Sequence, residues 1–382
     1  MDYRPTPENG EVRRLALDFA RTEILPHVMK YDESQEFPFD VFRKLGPLGF
    51  MGVTIPENYG GTGLKFVDYC AIIEEISRVD PSVGLSVAAH NGLCTAHIYN
   101  FGDENQKQKY LPDLASGRKI GAWGLTEPKS GSDASGMKTT AVRDGSTYVL
   151  NGSKQFITHG SVGETLVIMA VTDSSKGKKG ISAFIVERGT PGLSTGRKEN
   201  KLGMRASDTS TVVMEDMRIP ASSLIGEEGE GFTQALRVLD CGRIGIAALA
   251  VGVAQGSLDA SVKYSRERSQ FNKPLSEFQA IQWKISEIAT KTEAARLLTM
   301  KAADLKDRGR DISLAAATAK YFASEIAVRS AEDAVQIHGG YGYVKDFPVE
   351  KFYRDVKLLT IGEGTSEVQK MVIAKNILDH WS

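Results

Sequence analysis

The residues of this 382-residue chain that could do chemistry fall in four short segments. In LLTIGEGTSEVQK, residues 358–370, one carboxylate, Glu363, stands between Gly362 and Gly364 just ahead of what reads as a helix. A carboxylate placed where the backbone can approach a ligand closely suits proton abstraction. Taken alone, a solvated residue before a helix cap is the commoner meaning of such a triplet. GLTEPKSGSDASG, residues 124–136, gathers hydroxyls and small residues (Thr126, Ser130, Gly131, Ser132, Gly136) that bring donors close to a flat polar ligand or a pyrophosphate. It has neither the dinucleotide-binding glycine fingerprint nor the Walker lysine, and an ordinary Gly/Ser loop is its plain alternative.

The other two segments carry basic side chains. QIHGGYGYVKDFPVEKFYRD, residues 336–355, ends a helix in Gly339 and Gly340, with Lys351, Arg354 and Asp355 following at helical spacing. His338 reads there as a core or capping histidine. RERSQFNKP, residues 266–274, places Arg266, Arg268 and Lys273 in one turn, which suits a phosphate clamp or a solvated basic turn. No Cys, His or Asp cluster has metal-ligand spacing, so no metal is expected.

Three stretches must position these segments. Residues 1–120 read as helical, with apolar residues at steps of three and four (Val12, Leu15, Phe19; Phe66, Tyr69, Ile72, Ile73, Ile76). GFMGVTIPENYGGTGL, residues 49–64, has too many glycines for a helix and reads as a loop or short hairpin. Residues 121–228 switch to strand patterning. Asp144-Gly145 and Asn151-Gly152 both signal hairpins, because type I′ turns need positive φ. LVIMAVT (166–172), ISAFIVE (181–187) and STVVMED (210–216) add strands, and DSSKGKKG between the first two reads as a solvated turn. Residues 229–382 return to long helices; Phe278, Ile281, Ile285, Ile288, Ala295 and Leu298 form one apolar stripe that fits a helix bundle.

Composition excludes several classes. The 47 basic and 48 acidic residues give a net charge of -1, so no global field attracts nucleic acid or a membrane surface. The purest apolar run, AALAVGVA (247–254), is far too short for a bilayer span. Cys70, Cys94 and Cys241 are odd in number and widely spaced, which predicts free core thiols in a reducing compartment. The N-terminus has no apolar segment, and its Asp2, Glu8 and Glu11 do not suit an acid-poor transit peptide, which predicts a cytoplasmic protein or a trimmed mature form such as one of the mitochondrial matrix.

Taken together, the segments resemble the acyl-CoA dehydrogenase family over nearly the whole chain. GLTEPKSGSDASG and QIHGGYGYVKDFPVEKFYRD are similar to that family's two signature patterns, in the right order, and EGTSEVQ follows them. The resemblance implies an α+β multidomain fold, the acyl-CoA dehydrogenase fold: an N-terminal helical domain, a central β-barrel-like domain and a C-terminal four-helix bundle. It implies α,β-dehydrogenation of an acyl-CoA thioester to a trans-2-enoyl-CoA, with Glu363 as base, hydride passing to FAD, and electrons passing to an electron-transferring flavoprotein. Some relatives instead carry the base before the arginine of an L-D-x-x-R pattern; here that stretch is LDCGR and the position is Gly242.

The same resemblance implies FAD contacts at Trp123, Leu125, Thr126, Gly131 and Ser132, and at Phe156, Ile157 and Thr158. Arg268, Phe271, Gln279, Gln336, Gly339 and Gly340 would meet a neighbouring subunit's FAD, which implies a homotetramer built as a dimer of dimers. Thr365 and Glu367 would begin the last helix beside the cofactor, with Val368, Met371 and Val372 as its buried face. Ser132, Asp240, Arg243 and Gly364 would meet the acyl-CoA. Gly362 stands where relatives commonly carry an aromatic residue, which leaves room beside the acyl chain. Asn272 replaces a usual glycine, which Asn tolerates at positive φ. The short-chain branch fits best; a glutaryl-CoA specificity fits less, since its arginine position falls at Gly84. An acyl-CoA oxidase and a catalytically silent binding protein are the alternatives on this scaffold.

Overall fold

The chain folds, in a computed structural model that describes residues 6–380, as helices, then a sheet, then long helices. The first group comprises α1 (Pro7–Phe19), α2 (Val28–Ser34), α3 (Phe39–Leu45), α4 (Phe66–Ser77), α5 (Pro81–Ala89), α6 (Ala96–Phe101) and α7 (Glu104–Ala115). Their starts follow capping chemistry: the side chains of Thr6, Asp80 and Asp103 accept from Asn9, Ser82 and Gln106 backbone N–H groups. Residues 49–64 form turns and one short 3-10 segment, as their glycines require. A π-helical turn, His90–Thr95, joins α5 to α6 without breaking the helical run.

The sheet holds β1 (Gly121–Gly124), β2 (Thr140–Asp144), β3 (Thr147–Thr158), β4 (Thr165–Val171), β5 (Ile181–Glu187), β6 (Leu193–Lys198), β7 (Thr209–Pro220) and β8 (Leu224–Ile225). Its order is β6-β7-β3-β2-β4-β5-β8, with β1 parallel to β4. The sheet curls over a cluster that includes Tyr148, Leu150, Ile168, Phe184 and Met214, while its other face packs Val167, Met169 and Ile185 against Leu111 and Leu114 of α7. Burial on both faces explains why β4 reads as an unbroken apolar run. The expected barrel does not close: among the described residues no pairing joins β6 to β8.

One hairpin signal holds and the other does not. Asp144-Gly145 turns β2 into β3, with Gly145 at φ 60°. Asn151-Gly152 lies inside β3, where Gly152 (φ 142°) absorbs a bulge against β7. Asn151 is held there by Asp216: its Nδ2 donates to Asp216 Oδ1, and its Oδ1 accepts from Asp216 N–H. Cross-strand pairing to β7 therefore overrides the local turn propensity.

After the sheet come α8 (Gly231–Glu267), the short ribbon β9 (Ser269–Gln270) and β10 (Lys273–Pro274), α9 (Gln279–Asp307), α10 (Ser313–His338), α11 (Val349–Val356) and α12 (Ser366–His380). Asn272, in the ribbon turn, has φ 63°, which suits the replacement of glycine there. α8 passes close to α4 because it presents glycines to it: a Cβ at Gly245 would lie 2.7 Å from the Tyr69 hydroxyl, and one at Gly252 2.3 Å from the Glu74 carbonyl oxygen. Ile72, Ile73 and Ile76 of α4 are fully buried, each contributing about 1.5–3 kcal/mol of hydrophobic stabilisation.

The expected stripe on α9 is buried only at Ile288 and Ala295; Ile281 and Ile285 are half-buried and Trp283 is exposed. On α12, Met371 is exposed and Gln369 takes the buried position, because Gln369 ties the preceding loop to the helix. Lys351, Arg354 and Asp355 are structural. Buried Lys351 bridges Asp80 and Asp355, Asp355 accepts from Met204 N–H, and Arg354 pairs with Asp32 and Glu350. α11 thereby sews the first helices to the sheet.

Candidate active site

On the sheet side, β1 and β3 emerge next to each other: Gln155 N–H donates to the Thr126 carbonyl at 2.8 Å. The loop after β1 is pinned by a buried ion pair. Lys154 Nζ donates to Glu127 Oε1 at 2.7 Å and to the Leu125 carbonyl at 3.2 Å. Glu127 also accepts from Lys138 N–H at 2.6 Å and Thr139 N–H at 2.9 Å. Burial pushes the Lys154 ammonium down to about 8, against the attraction of Glu127. Phe156, on β3, has φ 58° and is 63% exposed.

Buried histidines hold β1 itself. His90 Nδ1 accepts from Gly121 N–H at 3.0 Å, so its Nε2–H is shared between the Met51 and Leu114 carbonyls. His159 Nδ1 donates to the Gly121 carbonyl at 2.9 Å. His97 Nδ1 accepts from Trp123 Nε1–H at 3.0 Å and its Nε2–H donates to Gln234 Oε1 at 3.1 Å. Burial pushes His90 down to about 3 and His97 to about 4, so both rings are neutral near pH 7.

The helical side carries Glu363. Leu358 O caps the preceding turn by accepting from the N–H groups of Ile361 and Gly362. Glu363 then takes φ 52° and Gly364 φ 89°, a left-handed pair that costs about 1–3 kcal/mol at a non-glycine residue and must be held from outside. Three groups hold it. Lys320 Nζ, from α10, donates to the Gly364 carbonyl at 2.7 Å; Gln369 Nε2 donates to the same oxygen at 2.9 Å; and Thr365 Oγ1 caps α12 by accepting from Val368 N–H at 3.3 Å. Glu363 N–H makes no hydrogen bond among the described residues.

The Glu363 residue is partly exposed, but its Oε2 is sealed from solvent and has no hydrogen-bond partner among the described residues. Burial pushes its carboxyl up to about 7, against the pull of the Lys320 and Arg243 cations. The carboxylate lies on α8 at Gly242, where a Cβ would sit 2.1 Å from Oε2 and 3.2 Å from Leu93 Cδ2. One turn along the same face, at Gly245, lies the Tyr69 hydroxyl, which donates to the Ala88 carbonyl at 3.3 Å.

Residues 6–118, 122–217 and 229–378 match the descriptions "Acyl-CoA dehydrogenase, N-terminal domain", "middle domain" and "C-terminal domain". The chain belongs to the acyl-CoA dehydrogenase family. It is 48% identical over 379 residues to a probable acyl-CoA dehydrogenase of Bacillus subtilis (strain 168), covering 99% of this chain and 100% of the relative. It is 44% identical over 372 residues to a subunit of the caffeyl-CoA reductase–Etf complex of Acetobacterium woodii, covering 97% and 98%. The structure of butyryl-CoA dehydrogenase from Megasphaera elsdenii superposes with a TM-score of 0.97 at 43% identity, covering 99% of this chain and 100% of that one.

Within this acyl-CoA dehydrogenase fold, the residues singled out from sequence separate into two groups. Trp123, Leu125, Thr126, Gly131 and Ser132 lie on or just after β1, beside Phe156, Ile157 and Thr158 at the end of β3. Asp240 and Arg243 lie on α8 within two residues of the Glu363 seat at Gly242, joined to each other at 2.5 Å. Thr365 and Glu367 start α12. The second group is distant in sequence and faces outward: Arg268 lies over the Tyr341 ring, Phe271 is 87% exposed, Gln279 begins α9, and Gln336, Gly339 and Gly340 end α10. A Cβ at Gly131, Gly339 or Gly340 would meet no atom within 4 Å, so these backbones border open space.

Sequence reading missed Lys320, Tyr69, Lys154 and the histidines around β1. Lys320 had a signal. It falls on the same face as Ala316, Ala323 and Ala327, at steps of four, three and four, so a lone cation was set in an otherwise apolar stripe.

Proposed function

We propose that the chain is a FAD-dependent dehydrogenase of short acyl-CoA thioesters in which Glu363 removes the α-proton. The observation that carries this reading is the sealed, unpartnered Oε2 of Glu363 next to its own unpaired N–H. A carboxylate with a pKa near 7 and no hydrogen bond to give up is poised to take a proton near neutrality. The free Glu363 N–H donates to the thioester carbonyl as negative charge develops on it, an oxyanion-hole role that needs no side chain.

The residues fit FAD. The adjacent ends of β1 and β3 offer Trp123, Leu125, Thr126, Gly131, Ser132, Phe156, Ile157 and Thr158, with an exposed aromatic ring at Phe156. Thr365 and Glu367, at the start of α12, would add polar contacts to the same cofactor. Arg268, Phe271, Gln279, Gln336, Gly339 and Gly340 would hold the adenine end of a second copy's cofactor, which supports a homotetramer; exposed Trp283 on α9 and Met371 and Leu378 on α12 are apolar surface for such contacts. When bound, FAD supplies the acceptor for the β-hydrogen as hydride, so that a trans-2-enoyl-CoA results. Ser132, Asp240, Arg243 and Gly364 meet the CoA thioester. The relative from an Etf complex supports an electron-transferring flavoprotein as the electron partner. No described helix is long and apolar enough to cross a membrane, which agrees with a cytoplasmic or matrix location.

Two features bear on the acyl chain. Tyr69 stands one helical turn beyond the Glu363 seat, with its hydroxyl wedged between Gly245 and Gly92, which favours a short chain. At Gly362 a Cβ would meet only Leu358, at 3.6 Å, so the pocket has spare width there. An arginine at Gly84 has no room, because a Cβ would lie 2.0 Å from Ser77 Oγ; this disfavours a dicarboxylic substrate held at that position.

The test is an anaerobic panel of acyl-CoA thioesters scored by flavin bleaching. Glu363→Gln is expected to keep its FAD and lose about 10²–10⁴-fold in reduction rate; normal bleaching overturns the base assignment. A second reading, enoyl-CoA reduction on the same residues, is favoured by the caffeyl-CoA reductase relative, since a carboxyl near 7 can equally donate the proton. Faster turnover of enoyl-CoA with reduced flavoprotein would select it. Peroxide formed without a flavoprotein acceptor would select an oxidase.

A further inference from the structure

Lys320 is fully buried on α10, and among the described residues it forms no ion pair. Its ammonium instead donates to a backbone carbonyl, that of Gly364, the residue after the base. A buried ammonium without a bonded carboxylate is costly, and its place in an alanine stripe calls for a use. The loop it grips is the left-handed Glu363-Gly364 pair, which local sequence preference alone does not stabilise.

The charged and titratable groups around Glu363 come from each element packed on it. α8 brings Asp240, Cys241 and Arg243; the Arg243 charge is already bonded to Asp240, and the Cys241 thiol is pushed up by burial and stays neutral. α10 brings Glu325, which accepts from Ser366 Oγ at 2.6 Å, in addition to Lys320. α4 brings the buried Tyr69 phenol, and α12 the exposed Glu367. The π-helical turn contributes Leu93, which carries no charge. Lys320 is therefore the buried cation here whose charge is not already committed to another carboxylate.

We propose that Lys320 is a positioning residue for the proton-transfer step: it fixes the Glu363 loop through the Gly364 carbonyl, and its charge favours the ionised form of the Glu363 carboxylate. The inference rests on the reading of Glu363 as the base. Burial pulls the Lys320 ammonium down to about 8 while Glu363 opposes that fall, so the two groups favour each other's charged forms. Lys320 touches no reacting atom in this scheme.

The experiment measures the rate of anaerobic flavin reduction by butyryl-CoA against pH for FAD-loaded wild type and for Lys320→Met, Lys320→Gln and Lys320→Arg. Removing the cation is expected to move the acidic limb of the profile to higher pH by about one unit, a loss of about tenfold on that limb that recovers in alkali. Lys320→Gln keeps a donor for Gly364 and should still show the shift; Lys320→Arg keeps the charge and should restore the limb. A pH-independent loss with an unmoved limb overturns the proposal. So does failure of both neutral variants to fold with FAD, which would make Lys320 a structural residue only. If wild type itself is not reduced, the base assignment falls first and this inference with it, an outcome distinct from an unmoved limb.

Discussion

The two walls of the site treat buried polar groups in opposite ways. On the sheet side the ionic and ring groups that pin β1 are largely answered: Lys154 by Glu127 and Leu125, Glu127 by two backbone N–H groups, and both ring nitrogens of His90 and His97 by backbone and side chains, with His159 Nε2 the exception. On the helical side Glu363 Oε2 and Glu363 N–H are enclosed or oriented without partners, and Lys320 bonds a carbonyl rather than a carboxylate. Satisfied buried networks rigidify, whereas unsatisfied ones hold free energy available to a ligand. On the proposed function, the sheet wall would be a fixed surface for the cofactor, and the helical wall a reactive one whose bonds are completed when substrate arrives.

The contrast can be broken first from the sheet side. Lys154→Met leaves Glu127 buried with two N–H donors and no countercharge, and should lower stability by about 3–5 kcal/mol, read by chemical unfolding of the FAD-loaded protein. An unchanged unfolding midpoint would show that the sheet wall does not depend on that pair. Next, Gly242→Ala acts on the helical wall alone. Its methyl would displace the carboxylate, lowering the flavin reduction rate by about 10–100-fold, while the better helix propensity of alanine offsets part of any strain. Activity and stability should therefore part company here, as they would not at Lys154.

The smallest effect sharpens the comparison by pH. The Glu363 carboxyl is raised by burial from 4.5 to about 7, so the folded state binds its proton more tightly than the unfolded state does. Wild-type stability then falls as pH rises from about 4.5 to about 7 on account of this group. Glu363→Gln should be more stable than wild type by about 1–2 kcal/mol at pH 8, allowing for the partial exposure of the site, with the difference vanishing near pH 4. Thermal unfolding at the two pH values reads it.

Much of this was legible in the chain. The helix–sheet–helix order, the strands at 166–172 and 181–187, and the ends of α8 and α10 follow from periodicity and glycine placement, which are local properties. The glycines around Glu363 drew attention to the carboxyl that the structure shows with a sealed, unpartnered Oε2. Asn151-Gly152 misled because β7, some sixty residues away, supplies partners that a turn would forgo. Met371 misled because α12 leaves much of its surface outside, and a polar residue, Gln369, is needed to hold the loop. Tyr69 and Lys154 were out of reach because their roles arise only when α4 meets α8 and when β3 lies beside β1. The open sheet edge, too, depends on pairings that no single strand encodes.

The seat at Gly242 has a historical consequence. The resemblance implies that some relatives carry their base at the position of Gly242, where this chain has only a hydrogen atom and a Cβ would lie 2.1 Å from Glu363 Oε2, inside van der Waals contact. A lineage moving its base from one position to the other could not pass through a form holding both side chains in these places. If Glu363 is the base as proposed, one holding neither would lose turnover. On the proposed assignment the two arrangements are separated by a double substitution, at position 242 and at position 363.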